Sequence, residues 1–223
     1  MGALTVASDN NASSAVYRDC FSQAERLIRD EGCARALRHN EQVFDQVEGL
    51  AARLLVHSVN EAVGAAVLGR VAKHHSGSGD SRLLTRHARD EARHSKLLAQ
   101  ASAAMLPGLS ARRSHVRARA AAEIGGYDGQ LMNFYCATHV AEIRNLFVLD
   151  QYVGLVRARE QLAQFALEPL FLSILADEQR HVDYTRRIIE PWLESSPRSV
   201  ATFIRYAEIH KELVLDPVRE MQE

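Results

Sequence analysis

Apolar residues recur along most of this chain at spacings of three and four, the period of a helix that buries one side. No stretch alternates apolar and polar residues with a period of two, so the pattern predicts no strand. Residues 1–13 are small and polar and are expected to form a loose tail. Residues 14 to 38 fit a helix with Val16, Phe21, Ala24, Leu27 and Ile28 on its apolar side, interrupted at Gly32. A long helix is predicted from about Glu41 to His75, ending in Ser76-Gly77-Ser78-Gly79. Asp80 or Ser81 would cap the next, which runs to about Leu106 and stops before Pro107-Gly108. Residues 109–126 read as a long basic crossover with room for a short helix around Ala118 to Ile124. A third long helix is expected from Tyr127 to Phe165, and a fourth from Pro169 to Pro191. The last opens at Ser196-Pro197 and runs to about Leu215, with Pro217 beyond it. The expected architecture is all-α: a four-helix core of two antiparallel pairs, with a flanking helix at each end.

Within these stripes, four positions break the rule. Leu54, His57, Glu61, Gly64 and Leu68 share one face of the first long helix, and Leu84, His87, Glu91, His94 and Leu98 one face of the second. Tyr135, Thr138 or His139, Glu142, Leu146 and Leu149 share a face of the third, and Leu170, Ile174, Glu178, His181 and Thr185 one of the fourth. Glu61, Glu91, Glu142 and Glu178 therefore stand where the helical period asks for Leu or Ile. Two of them open a repeated motif, Asp90-Glu91-Ala92-Arg93-His94 and Asp177-Glu178-Gln179-Arg180-His181. These are the chain's only two E-x-x-H matches, and they also share the preceding Asp and the intervening Arg. Glu61 lies thirty residues before Glu91, and Glu142 thirty-six before Glu178. The order E … DExRH … E … DExRH is an internal repeat of one helix pair.

Composition narrows the class without naming the chemistry. At 223 residues, 47% apolar and 25% charged, the chain is expected to form one domain (14–223) behind the tail. A net charge of −1 gives no general attraction to nucleic acid or anionic membrane. Arginines number twenty-four against three lysines, yet no basic run stands out. The three cysteines, Cys20, Cys33 and Cys136, are scattered and suit a reducing compartment. They cannot supply the four paired thiolates of a rubredoxin-type iron site. With no signal-peptide pattern and no long apolar span, a soluble cytoplasmic protein is expected.

Burying four carboxylates without compensation costs many kcal/mol, so such groups are paired or bind metal. Residues three apart on a helix share a face, so Glu91 with His94, and Glu178 with His181, can each grip one ion. Helix bundles build two-metal sites in this way, with one Glu from each of two helices and an E-x-x-H from each of the other two. Two divalent cations cancel four carboxylates, and the imidazoles bind neutral. Oxygen-rich ligation with two imidazoles and no thiolate suits iron or manganese better than structural zinc. The predicted metal set is Glu61, Glu91, His94, Glu142, Glu178 and His181.

The pattern over about residues 45–190 resembles the ferritin-like diiron carboxylate oxygenase superfamily, which includes soluble methane monooxygenase, acyl-carrier-protein desaturases, p-aminobenzoate N-oxygenase and aldehyde-deformylating oxygenases. The resemblance implies a ferritin-like four-helix bundle holding two iron ions, or a manganese–iron pair, with O2 as co-substrate. It also implies that Asp90 supports His181 and Asp177 supports His94, with Arg93 and Arg180 pairing with those aspartates. In the p-aminobenzoate N-oxygenases an additional His precedes the second motif's Glu by four residues; that position here is Ile174, while His87 stands four before Glu91 in the first motif. His57 and His139, near Glu61 and Glu142, read as histidines behind the ligands or in the core. Gly64 and Ala65 would leave room beside the metals, Tyr135 and Tyr184 are candidate electron relays, and Cys136 reads as a small buried residue.

The expected activity is that of a monooxygenase or related oxidoreductase, which hydroxylates, N-oxygenates, desaturates or oxidatively cleaves a small organic substrate. Electrons would come from an external ferredoxin or reductase, because the chain has no flavin or pyridine-nucleotide motif. A homodimer is compatible with this reading. The alternative is a ferroxidase or peroxide-scavenging iron protein of the ferritin/rubrerythrin type; ferritins usually lack the second E-x-x-H, and the Cys-rich module of rubrerythrins is missing here. A third class, a helical interaction module without catalysis, predicts full stability without metal.

Overall fold

The computed structural model describes residues 13–109 and 129–219, and these are all-α, with no strand among them. The expected tail and most of the basic crossover, with its short helix, lie outside the described residues. The elements are α1 (Ala15–Glu25), a π-helical stretch π1 (Arg26–Cys33), α2 (Ala34–Phe44), α3 (Val47–His74) and α4 (Gly79–Met105). They continue with α5 (Leu131–Arg157), a 3₁₀ turn (Glu160–Phe165), α6 (Leu167–Ser195) and α7 (Pro197–Arg219). None of the described helices is long and apolar enough to cross a membrane.

These elements divide into two compact units. The hairpin unit contains α3, α4, the 3₁₀ turn and the chain as far as Leu170. The terminal unit contains α1, π1, most of α2, α5, α6 from Phe171 onward, and α7.

In the hairpin unit, α3 packs along α4 after a turn at His75–Ser78, where Gly77 takes φ +92°. Ser78 caps α4, its Oγ accepting from Ser81 N at 3.2 Å. The expected caps, Asp80 and Ser81, instead lie inside the first turn, because α4 starts at Gly79. Serine hydroxyls strap the two helices together: Ser81 Oγ to Ala72 O at 2.9 Å, Ser58 Oγ to Ser95 O at 2.8 Å, and Ser102 Oγ to Ala51 O at 2.8 Å. All three pairs belong to one antiparallel register, and the same register sets Glu61 opposite the turn that carries Glu91 and His94. The sequence spacing of thirty residues is thus a hairpin dimension.

In the terminal unit, α5 is buried almost all round from Phe134 to Ile143, as a central helix must be. π1 and α7 pack against it, and α1 packs on π1 and α7. Gly32 does not interrupt the first helical run, which continues to Phe44 instead of ending near Arg38. A Cβ at Gly32 would lie 3.3 Å from Lys211 O, so the bare Cα serves the close approach of α7. The buried side of α1 is Tyr17, Cys20 and Ala24, rotated from the expected Val16 and Phe21.

Other boundaries also differ from expectation. Asp45-Gln46 break the chain before α3, so Glu41 belongs to the preceding helix. α5 ends at Arg157, not Phe165. Arg159 leaves it to pair with Asp45 at 2.7 Å, and wholly buried Leu162 holds the 3₁₀ turn in the hairpin unit. Pro169 is the third residue of α6, where a missing N–H costs nothing. Pro191 lies inside α6, which continues to Ser195 because Ile189 and Leu193, on either side, are both buried. Pro217 likewise falls within α7.

Candidate metal centre

In the hairpin unit, the face of α4 carries Leu84, His87, Glu91, His94 and Leu98, and all five are buried. Glu61 projects from α3 with its side chain only 13% exposed. Its Oε2 lies 3.7 Å from His94 Nδ1, and Glu91 Oε1 lies 3.7 Å from the same nitrogen. Glu61, Glu91 and His94 each offer a ligand atom, all within 4.8 Å of one another. A separation of 3.7 Å is too long for a hydrogen bond. It suits two donors on a common ion, since bonds of about 2.1 Å put neighbouring donors roughly 3.0–4.2 Å apart. The Arg93 guanidinium lies 3.3 Å from His94 Nε2, behind the cluster.

His87 enters the same cluster. Its Nε2 lies 3.4 Å from Glu91 Oε1, so one carboxylate oxygen is flanked by an imidazole one turn before it and another one turn after it. Sequence reasoning left His87 outside the metal set, although the spacing of four to Glu91 was its signal. Gly64 stands beside this carboxylate. An added Cβ would meet only Glu91 Oε2, at 3.5 Å, so the glycine leaves a methyl-sized space at that oxygen. His57, one turn before Glu61, is half-buried.

The second cluster belongs to the terminal unit. Glu142 on α5, and Glu178 and His181 on α6, are all buried. His181 Nδ1 lies 3.0 Å from Glu178 Oε2, and Glu142 and His181 offer ligand atoms within 4.8 Å of each other. Asn145 Nδ2 leans on Glu142 Oε2 at 3.4 Å, and Arg144 donates to Asn145 Oδ1 at 2.9 Å. Asp177 is buried and pairs with the half-exposed Arg180, one of the two pairings that the resemblance implied. Asp90 and Arg93 are half-buried on α4.

His139 is not part of this cluster, because both its nitrogens are engaged elsewhere: Nδ1 with Thr185 Oγ1 at 2.7 Å, and Nε2 with the Tyr17 hydroxyl at 3.0 Å. Burial holds it neutral, with its pKa lowered to about 3. Tyr135 is wholly buried, and the Tyr184 ring meets His181 edge-on with centroids 6.4 Å apart. Cys136 is buried as expected, and burial pushes its thiol pKa up.

The buried glutamates and imidazoles therefore make up donor groups that could hold a metal ion, compatible with iron. In comparisons with known proteins, the chain matches no family model, no curated protein and no solved structure.

Proposed function

We propose that this protein is a non-haem diiron oxygenase of the ferritin-like type, with Glu61, Glu91, His94, Glu142, Glu178 and His181 as the ligands of two iron ions. The observation that carries this reading is the buried trio Glu61, Glu91 and His94, set at ion-bridging rather than hydrogen-bonding distance. Burying carboxylate charge costs several kcal/mol, and cations beside the carboxylates offset that cost. When bound, the iron pair supplies reductive activation of O2 for oxidation of a small organic substrate.

The chain's own residues have separate tasks. Glu61 faces His94 across the α3–α4 seam, Glu91 stands one turn before His94 on α4, and the serine straps hold that seam in register. Arg93 puts a guanidinium behind the His94 ring. Gly64 keeps a small space open at Glu91, where a substrate group can approach. Asn145 and Arg144 orient Glu142 from within α5. Electrons come from a separate ferredoxin or reductase.

The test is anaerobic loading with ferrous iron, metal analysis, and then exposure to oxygen. Two irons per chain and a transient visible absorption are expected. Well under two irons with no transient sinks the reading, while large shells or an iron core on gel filtration would replace it with iron storage.

A further inference from the structure

The hydrogen bonds around His139 fix its tautomer. Thr185 Oγ1 lies 2.6 Å from His181 O, a carbonyl, so the hydroxyl must donate there. It can then only accept from His139, so Nδ1 carries the hydrogen. Nε2 is left as a bare acceptor, and the Tyr17 hydroxyl donates to it at 3.0 Å. Tyr17 is 3% exposed and His139 is fully buried. The Arg186 guanidinium sits 5.9 Å from the Tyr17 ring centroid and is itself held by Ser13 and Glu190. The chain Tyr17–His139–Thr185 ends on the backbone of His181, and His139 lies one helical turn before Glu142.

We propose that Tyr17 is a redox-active residue: it gives one electron to a strong one-electron oxidant while its phenolic proton crosses to His139 Nε2. The O–H bond of Tyr17 breaks and an N–H bond forms on His139. The pair becomes a neutral phenoxyl radical beside an imidazolium, and the oxidant is reduced by one electron. An electron from the external reductase reverses the step. In the protein the oxidant would be the iron pair of the reading above, on which this role rests, with Tyr17 supplying an electron to it when no substrate is bound. At rest the phenol stays protonated, because burial raises its pKa and His139 is a weak base. Oxidation makes the phenol a far stronger acid, and the pre-formed bond gives its proton somewhere to go.

The experiment has two arms. In the first, the full chain is oxidised with photogenerated ruthenium(III) polypyridyl, with and without iron. Wild type is expected to give a tyrosyl radical, seen by transient absorption and paramagnetic resonance, that forms more slowly in heavy water. Tyr17→Phe should lower the yield by an order of magnitude or more, and Tyr135→Phe should not. Thr185→Val, which strips the Nδ1–H of its partner, should slow radical formation and covers the case in which Tyr17→Phe fails to fold. In the second arm, iron-loaded protein meets oxygen without substrate, and the same radical is expected. A radical that survives in Tyr17→Phe, or a wild type that consumes oxidant without forming one, overturns the proposal. So does an iron-loaded chain that takes up oxygen and shows no Tyr17 radical. Failure to bind iron would instead overturn the oxygenase reading, while the first arm still decides the fate of Tyr17 and His139.

Discussion

The two halves of the chain carry the same five-residue motif on different supports. In the hairpin unit the ligand atoms stand apart, at 3.4–3.7 Å, along a seam of serines and a glycine. In the terminal unit Glu178 and His181 are already at 3.0 Å, with the Tyr184 ring edge-on to His181. The shared arginine also diverges: Arg93 touches the imidazole of its own motif, whereas Arg180 pairs with the aspartate of its own. The repeat therefore specifies which donors are present. The packing around each copy decides how closely those donors stand to one another.

The largest test of that contrast removes one glutamate from each half. Glu91→Ala should abolish the rise in melting temperature on adding iron, a rise worth about 2.7 kcal/mol at a hundredfold excess over Kd. Without metal it should melt below the wild-type temperature, because His87 and His94 lose the carboxylate they flank. Glu178→Ala should also lose the iron-dependent rise. Its metal-free form should lose more stability than that of Glu91→Ala, because His181 stands closer to its carboxylate, at 3.0 Å. Thermal melts with and without ferrous iron separate the four cases, and equal metal-free shifts would erase the distinction.

Acid should strike the terminal unit. Burial lowers the His139 pKa to about 3 against an opposing pull from Glu142 and with a push from Arg186; His210, facing Arg144 and Glu142, is lowered in the same direction. A histidine kept neutral in the fold binds its proton only on unfolding. Its contribution is whole above an unfolded pKa of about 6.5, and stability falls as pH drops from there toward 3, by up to ~1.4 kcal/mol per unit for each such group. Denaturant melts from pH 7 to 4 should show this slope. His210→Leu should lessen it, since it removes one of the two buried histidines that take up a proton on unfolding. An unchanged slope would mean that other groups set the acid limit.

A smaller effect is expected at His87, which faces Glu91 from the turn opposite His94. His87→Ala should weaken iron binding roughly tenfold by competition titration, and Asn145→Ala, which removes only a 3.4 Å contact to Glu142, should weaken it less.

The candidate ligands were legible in the sequence because charge at an apolar helical position is conspicuous: Glu61, Glu91, Glu142 and Glu178 each interrupt a stripe. The pairing of Glu61 with Glu91 was legible because a hairpin of fixed register turns spacing into distance. Tyr17 was not, since an N-terminal tyrosine off the expected face says nothing of a histidine 122 residues later. Pro191 and the end of α5 misled for a similar reason. Their outcome depends on Ile189, Leu193 and Leu162 being buried, a tertiary fact that local propensity cannot carry.

The smallest effect sharpens the comparison at the level of single hydroxyls. Thr185 and Ser102 each donate to a backbone carbonyl of a helix. Thr185→Val also leaves the buried Nδ1–H of His139 without its acceptor, and such an orphan costs about 1–3 kcal/mol. Ser102→Ala strands no donor. The Ala51 carbonyl keeps its second lone pair for its own helix, so the loss should be about 1 kcal/mol or less. Chemical denaturation of the metal-free chain measures both. If Ser102→Ala proves as costly as Thr185→Val, the serine straps fix the α3–α4 register more strongly than a single hydrogen bond allows, and the ion-sized gap between Glu61 and His94 depends on them.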